Sequence, residues 1–98
     1  YAKYGAFHTG EVPYAYDNLK FIDRTLRPLE PADDELARTM AAYVANFIKT
    51  GDPNGQGLPL WPQFSTAGKQ VMELGTKIGA KPLPDGAALD FLLGQARP

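Results

Sequence analysis

An apolar stripe at helical spacing constrains the fold of this chain more than any other feature of its sequence. The apolar side chains fall at i, i+4, i+7, i+8, i+11 and i+12, which are Leu36, Met40, Tyr43, Val44, Phe47 and Ile48. This spacing predicts an amphipathic helix over residues 33–50. Acidic residues at positions 33–35 and a glycine at position 51 suit the two ends of such a helix. Three alanines widen its apolar sector, so we expect it to pack on a broad surface such as a large sheet.

The first 31 residues predict loops in place of long regular elements. Residues 1–16 are rich in aromatic side chains and are interrupted by glycines and a proline, which indicates a strand end or loop around His8 followed by one short helical turn. Residues 18–31 show no convincing periodicity and predict an irregular connection. His8 is therefore expected on a loop, where functional side chains concentrate.

Beyond the long helix the sequence predicts turns, two short strands and a final helix. The string DPNGQG at residues 52–57 is typical of a turn, and the prolines on both sides of Trp61 predict an extended stretch with the indole packed on a core. Residues 70–74 predict a short strand, and residues 76–80 predict its return. A helix over residues 85–94 is expected to close the chain, with an aspartate as its N-cap and a glycine near its end.

These elements alone cannot cover the long helix, because they include no run of strands able to form a large sheet. Burial of apolar area is worth about 25 cal/mol per Å², so a solvated helix face would cost several kcal/mol against a total stability of roughly 5–15 kcal/mol. The chain also begins with Tyr1 instead of methionine. We therefore expect the missing surface to come from sequence upstream of these residues or from a second copy of the chain.

Composition narrows the possible functions. Ten basic and eleven acidic side chains give a net charge of −1 without blocks of either sign, which disfavours nucleic-acid and membrane partners. No run approaches the ~18 apolar residues of a membrane span. The sequence has no cysteine and a single histidine, so we expect no metal site of the usual Cys/His kind and no cofactor. The cellular compartment stays undecided.

His8 is the one residue suited to acid–base chemistry near neutral pH. Its surroundings, GAFHTGEVPY at residues 5–14, closely resemble the segment around the catalytic histidine of type-B carboxylesterases. Further strings resemble the same family in the same order: YDNL at 16–19, ANFIKTGDPN at 45–54, LPLWP at 58–62 and LDFL at 89–92. Together they cover most of the chain. A lone histidine is more often a bystander, and it is this ordered set of strings that favours a functional role.

The resemblance implies an α/β fold, specifically the C-terminal portion of an α/β-hydrolase, which as an isolated chain would be mainly helical with short strands and long loops. Residues 1–98 would form the C-terminal segment of a carboxylesterase domain. That family cleaves carboxylic esters with a serine, an acid and a histidine, in this order along the chain. His8 matches the motif histidine, which implies the role of general acid and base.

The other parts of that machinery are not found in this sequence. The single serine, Ser65, lies in QFSTA and not in a G-x-S-x-G elbow, and no Gly-Gly pair provides an oxyanion-hole segment. The seven residues before His8 include no acid. We therefore expect the chain to be inactive alone and to partner the N-terminal remainder of an esterase, which in complete form would bind a small ester. The alternative is a non-catalytic structural module, derived from an esterase C-terminus, that buries its apolar helix face by self-association.

Three neighbours of His8 are candidate site residues. Glu11 matches the acid of the motif. We expect its carboxylate to be structural and to hydrogen-bond the loop or the short turn. The less favoured alternative is that it orients His8 for catalysis. Phe7 and Tyr14 are candidates for the lining of the substrate pocket. Aromatic side chains beside a loop are at least as often part of a core, so that alternative remains open for both.

Overall fold

A computed structural model describes residues 5–96 of the chain. Its regular elements are, in order, α1 (Val12–Ala15), a single 3₁₀ turn (Leu19–Phe21), α2 (Pro31–Thr50), β1 (Gln70–Leu74), β2 (Ile78–Pro82) and α3 (Gly86–Ala96). Long irregular segments connect them. The expected mixture of helices, short strands and loops is confirmed. The first four residues of the predicted loop around His8 lie outside the described residues.

The long helix α2 begins two residues before the predicted start. Pro31 occupies the first turn, where its fixed φ is compatible with a helix and its missing N–H is not needed. The backbone N–H of Glu30 donates to Oδ2 of Asp33 at 2.7 Å, which closes one half of a capping arrangement. At the other end Gly51 adopts a left-handed φ of 80° and its N–H donates to the carbonyl of Phe47 at 2.7 Å. The predicted helix is thus confirmed, including its glycine stop.

Strands β1 and β2 form an antiparallel hairpin with Leu74 opposite Ile78. The first strand is confirmed as predicted, but the return strand occupies residues 78–82 and not 76–80. The N–H of Gly75 donates to the carbonyl of Lys77 at 3.2 Å, so residues 75–77 form the turn. The position of this turn depends on how the two strands pair. The weak alternation of apolar residues in the sequence does not reveal that pairing.

The final helix and the connection before α2 both differ from expectation in detail. Helix α3 continues past Gly94 to Ala96, because Gly94 does not adopt the positive φ that would end it. Asp85 lies immediately before the helix with φ of 57°, and its carbonyl accepts from the N–H of Leu89 at 2.9 Å. In the connection predicted to be irregular, one 3₁₀ turn buries Leu19.

The side-chain amide of Asn54 fixes the turn after α2. The Asn54 side chain accepts from the N–H of Trp61 at 2.6 Å and donates to the Trp61 carbonyl at 2.9 Å. This places the indole edge-on to Tyr43, with ring centroids 5.2 Å apart and planes at 89°. The Tyr43 hydroxyl donates to the carbonyl of Pro59. The interpretation of Trp61 as a packing anchor is confirmed.

The core of this segment is small. Among residues 5–96 the buried hydrophobic side chains are Leu19, Ala37 and Tyr43. The radius of gyration is 16.1 Å, against about 13 Å for a compact domain of similar length. Large apolar side chains on α2 and α3 are exposed, namely Val44, Phe47, Ile48, Leu89, Phe91, Leu92 and Leu93. The segment therefore leaves uncovered the helix face for which the sequence predicted a broad partner surface. In the described portion, no helix is both long and apolar enough to cross a membrane.

Candidate functional site

His8 lies on a tight turn that presents its side chain to solvent. The N–H of Gly10 donates to the carbonyl of Phe7 at 3.0 Å, and the Thr9 hydroxyl donates to the His8 carbonyl at 2.6 Å. A Cβ at Gly10 would lie 3.0 Å from that Phe7 carbonyl and 3.3 Å from its ring, which explains a glycine here. Thr9 adopts a positive φ of 64°, an uncommon conformation for a β-branched residue. The expected loop is confirmed from Gly5 onward.

Arg27 contacts this turn from the connection before α2. Its Nη2 donates to the carbonyl of Gly10 at 3.3 Å. The guanidinium carbon lies 5.4 Å from the ring centroid of Phe7 and 5.8 Å from that of Tyr14, within the range of cation–π attraction. The planar cation therefore lies against two aromatic rings and one carbonyl of the segment around His8.

Tyr14 connects the same segment to the start of α2. Its hydroxyl donates to Oδ1 of Asp33 at 2.8 Å, while the other oxygen of that carboxylate accepts from the N–H of Glu30. Burial raises the pKa of the Tyr14 phenol, and the hydrogen bond and charge of Asp33 raise it further against an opposing effect of Arg27. The phenol is thus held in its protonated, donating form.

The four predicted site residues are close together in the sequence, but the structure places their side chains in different environments. His8 and Glu11 are exposed. The Glu11 carbonyl accepts from the N–H groups of Tyr14 and Ala15, and its carboxylate does not cap α1. Phe7 is 39% exposed and borders a shallow hollow of about 220 Å³ together with Glu11 and Arg27. Tyr14 is half-buried, with its hydroxyl directed to α2.

Two residues of this arrangement were not predicted from the sequence. Arg27 belonged to a connection without periodicity, and Asp33 was interpreted only as one of the acidic residues that suit the start of the helix. A sequence signal existed for Asp33, because a side chain with an acceptor at the third helical position is typical of a capping arrangement. For Arg27 the chain offers no local signal, since its contacts lie 13 to 20 positions earlier in the sequence.

Ser65 occupies a turn before β1. Its hydroxyl oxygen accepts from the N–H of Gly68 at 2.9 Å, and its carbonyl accepts from the N–H of Lys69 at 2.8 Å. This is a local turn motif of the kind that serine commonly forms. Over residues 5–96 no group of three His, Cys, Asp or Glu side chains is arranged to hold a metal ion.

An open cavity lies along the exposed face of α2, and its lining includes none of the residues of the turn that carries His8. It measures about 510 Å³ and has an almost entirely apolar lining, contributed by Met40, Tyr43, Val44, Phe47, Pro53, Trp61 and Leu74. The cavity is open and merges with the uncovered apolar face of α2. Its chemistry is that of a packing surface, because the polar groups that orient a bound small molecule are lacking from its lining.

The fold matches part of an α/β-hydrolase: a solved PNB esterase superposes with a TM-score of 0.74 at 23% identity, over 87% of this chain and 18% of that protein. A sequence profile of the carboxylesterase family matches residues 2–91. The chain belongs to the carboxylesterase family.

Two named relatives are similar to this chain over only a small part of their own length. Carboxylesterase 5A of Canis lupus familiaris is 38% identical over 80 residues, which are 78% of this chain and 14% of the relative. Cocaine esterase of Homo sapiens is 37% identical over 59 residues, 60% of this chain and 10% of the relative. The chain thus corresponds to a minor fraction of these enzymes.

Proposed function

We propose that this chain contributes the catalytic histidine of a serine carboxylic-ester hydrolase, with His8 as general acid and base. The observation that carries the proposal is the presentation of the single histidine on an exposed turn, within a string that resembles the catalytic segment of the family. Family membership and the esterase names of the relatives support it.

In this proposal His8 moves one proton in each direction during each half of the reaction. The imidazole accepts the proton of the serine hydroxyl as its oxygen forms a bond to the ester carbonyl carbon. The resulting imidazolium donates that proton to the alcohol oxygen as the bond between carbonyl carbon and alcohol oxygen breaks, which leaves an acyl-enzyme. His8 then accepts a proton from water during deacylation and returns it to the serine.

The serine, the acid of the triad and the oxyanion hole come, on this proposal, from sequence outside these 98 residues. Ser65 is an unsuitable nucleophile because its hydroxyl is engaged in a local turn outside any elbow. The uncovered face of α2 fits the same proposal, since the remainder of the esterase would supply the surface that covers it. Glu11 would support the short helix after His8 through its main-chain carbonyl, which accepts from the N–H groups of Tyr14 and Ala15. Phe7 and Tyr14 would lie on the side of the pocket nearest the turn that carries His8.

The test is a substitution in the complete protein that contains this segment. His8→Gln should lower ester turnover by at least ~10³-fold and should slow labelling of the nucleophile by a serine-directed phosphonate, because the base that activates the serine is lost. Arg38→Gln, at an exposed position on α2, is the control and should leave both rates unchanged. Wild-type turnover in His8→Gln would refute the proposal.

The isolated 98-residue polypeptide gives a second, independent test. It should show no ester turnover and no phosphonate labelling, because it holds a base without the nucleophile or the oxyanion donors. Labelling of Ser65 at a rate comparable with that of an esterase would contradict this proposal directly.

A self-associating, non-catalytic module is the second candidate function, favoured by the exposed apolar side chains of α2 and α3. It requires an oligomer of the isolated chain. Light scattering distinguishes the candidates: a stable dimer or larger species that unfolds cooperatively supports the module, and a monomer excludes it.

A further inference from the structure

Arg27 contacts the segment around His8 at several points, and no feature of the sequence predicted these contacts. Its Nη2 donates to the carbonyl of Gly10, two residues after His8, and its guanidinium lies over the rings of Phe7 and Tyr14. These contacts flank His8 on both sides along the chain. We propose that Arg27 is a positioning residue that fixes the turn carrying His8; the inference rests on the proposed role of His8.

The turn has a physical need for support from outside. Thr9 is held at φ of 64°, where a β-branched side chain is disfavoured. The hydrogen bonds from Gly10 to Phe7 and from the Thr9 hydroxyl to His8 are local and form within the turn itself. The bond from Arg27 reaches the turn from 17 positions away and ends on the residue that follows Thr9. Such a strained conformation persists only where its surroundings determine it.

Arg27 also connects the turn to the start of α2 through Tyr14. The guanidinium lies against Tyr14, and Tyr14 donates to the Asp33 carboxylate in the first turn of α2. A histidine placed by this series of contacts keeps its distance from groups that other parts of the enzyme hold fixed. Catalytic proton transfer is sensitive to displacements of about 1 Å, so loss of Arg27 should act mainly on the chemical step.

The geometry also predicts that lysine cannot replace arginine at position 27. The planar guanidinium donates to a carbonyl while it lies over two aromatic rings, whereas an ammonium is a compact charge without a flat face. Arg27→Lys keeps the positive charge and loses the stacking. A role that depended on charge alone would be restored by lysine, while a positioning role would not.

The test uses the complete enzyme with the variants Arg27→Ala and Arg27→Lys, and with Arg24→Ala as the matched control. Arg24 lies in the same connection, and its side chain forms an exposed 3.5 Å pair with Asp34. Per active site titrated with phosphonate, kcat should fall about 10- to 100-fold in Arg27→Ala, with KM changed less than ~2-fold, while Arg24→Ala keeps both. Arg27→Lys should recover less than a third of the loss. Guanidinium ion at millimolar, non-denaturing concentrations should raise kcat of Arg27→Ala.

His8→Gln distinguishes failure of this inference from failure of the proposed function. If His8→Gln is inactive while Arg27→Ala matches Arg24→Ala per titrated site, the positioning role is wrong and the role of His8 stands. If His8→Gln retains full turnover, the proposed function fails, and the inference with it. Counting titrated sites removes any effect of misfolded protein from kcat. A loss of activity that disappears when it is expressed per titrated site would therefore also overturn the positioning role.

Discussion

The hydroxyl of Tyr14 donates to Oδ1 of Asp33 at 2.8 Å, and this bond joins the segment that carries His8 to the start of helix α2. The second oxygen of the same carboxylate accepts from the N–H of Glu30 at 2.7 Å. One side chain therefore both caps the helix and holds the loop in front of it. The stability of the helix start and the position of the loop are consequently coupled.

This coupling is measurable with a double-mutant cycle. Tyr14→Phe removes one charge-assisted hydrogen bond at a half-buried site and should lower the free energy of unfolding by about 1–2 kcal/mol. Asp33→Ala should cost more, because it removes the helix cap as well. Urea unfolding of the complete protein should give an interaction free energy of about 1 kcal/mol between the two changes.

Asp34→Ala is the control for this cycle, since its ion pair with Arg24 is exposed and 3.5 Å long. Its effect should stay within about 0.5 kcal/mol. Strict additivity of Tyr14→Phe and Asp33→Ala would show that the bond contributes nothing to the stability of the complete protein.

The same bond predicts a pH dependence at alkaline pH. Burial, followed by the hydrogen bond and charge of Asp33, raises the pKa of Tyr14 in the folded state. Its contribution to stability is therefore complete below the unfolded-state pKa of about 10 and is lost as the pH rises through the higher folded-state pKa. The difference in unfolding free energy between the wild type and Tyr14→Phe should shrink above pH ~10.

Tyr43, whose pKa is also raised by burial, is present in both proteins and cancels in this comparison. Tyr16→Phe, at a side chain that is 72% exposed, is the matched control. A difference between wild type and Tyr14→Phe that grows with rising pH would contradict the assigned cause.

Helix α2 could be predicted from the sequence because its signals are local. Apolar spacing, acidic residues near the start and the glycine at its end all act within a few positions, and the structure follows them to within two residues. The predicted return strand differs from the observed strand β2 by two residues, because the position of β2 depends on its pairing with β1 and not on its own composition.

The surroundings of His8 were only partly predictable, for a related physical reason. The motif marked His8, Glu11, Phe7 and Tyr14 as candidate site residues, and the structure shows which side chains contact Phe7 and Tyr14. Arg27 reaches Gly10 across 17 positions, and such a contact leaves no periodic trace in the sequence. Contacts of this kind depend on how loops pack, which propensity and patterning do not encode.

Asn54 is predicted to be a structural residue of the turn after α2. Its side chain forms both a donated and an accepted hydrogen bond with the backbone of Trp61. Asn54→Ala leaves two backbone groups of a part-buried residue without these partners and should lower the free energy of unfolding by about 1–3 kcal/mol. Gln56→Ala, at an exposed position in the same turn, should have little effect in the same urea titration. Equal midpoints for the two variants would exclude the structural role.

The loss of stability in Phe47→Ala shows whether another surface covers the apolar face of α2 in the complete protein. In this segment it is 58% exposed and lines the cavity of about 510 Å³. Truncation of an exposed side chain changes stability by about 0.5 kcal/mol or less, whereas truncation of a buried phenylalanine costs about 3–5 kcal/mol. If, as proposed, the remainder of the complete protein covers this face, Phe47→Ala in that protein should show the larger loss.

The dependence of that loss on protein concentration identifies the covering surface. Cover by the same polypeptide makes the loss independent of concentration, whereas cover by a second copy makes the unfolding midpoint rise with concentration in the wild type and less in Phe47→Ala. Lys49→Ala, exposed two residues further along α2, is the control and should change neither quantity by a comparable amount. A loss near 0.5 kcal/mol at all concentrations would mean that Phe47 stays solvated in the complete protein, and the explanation of the apolar stripe would then be wrong.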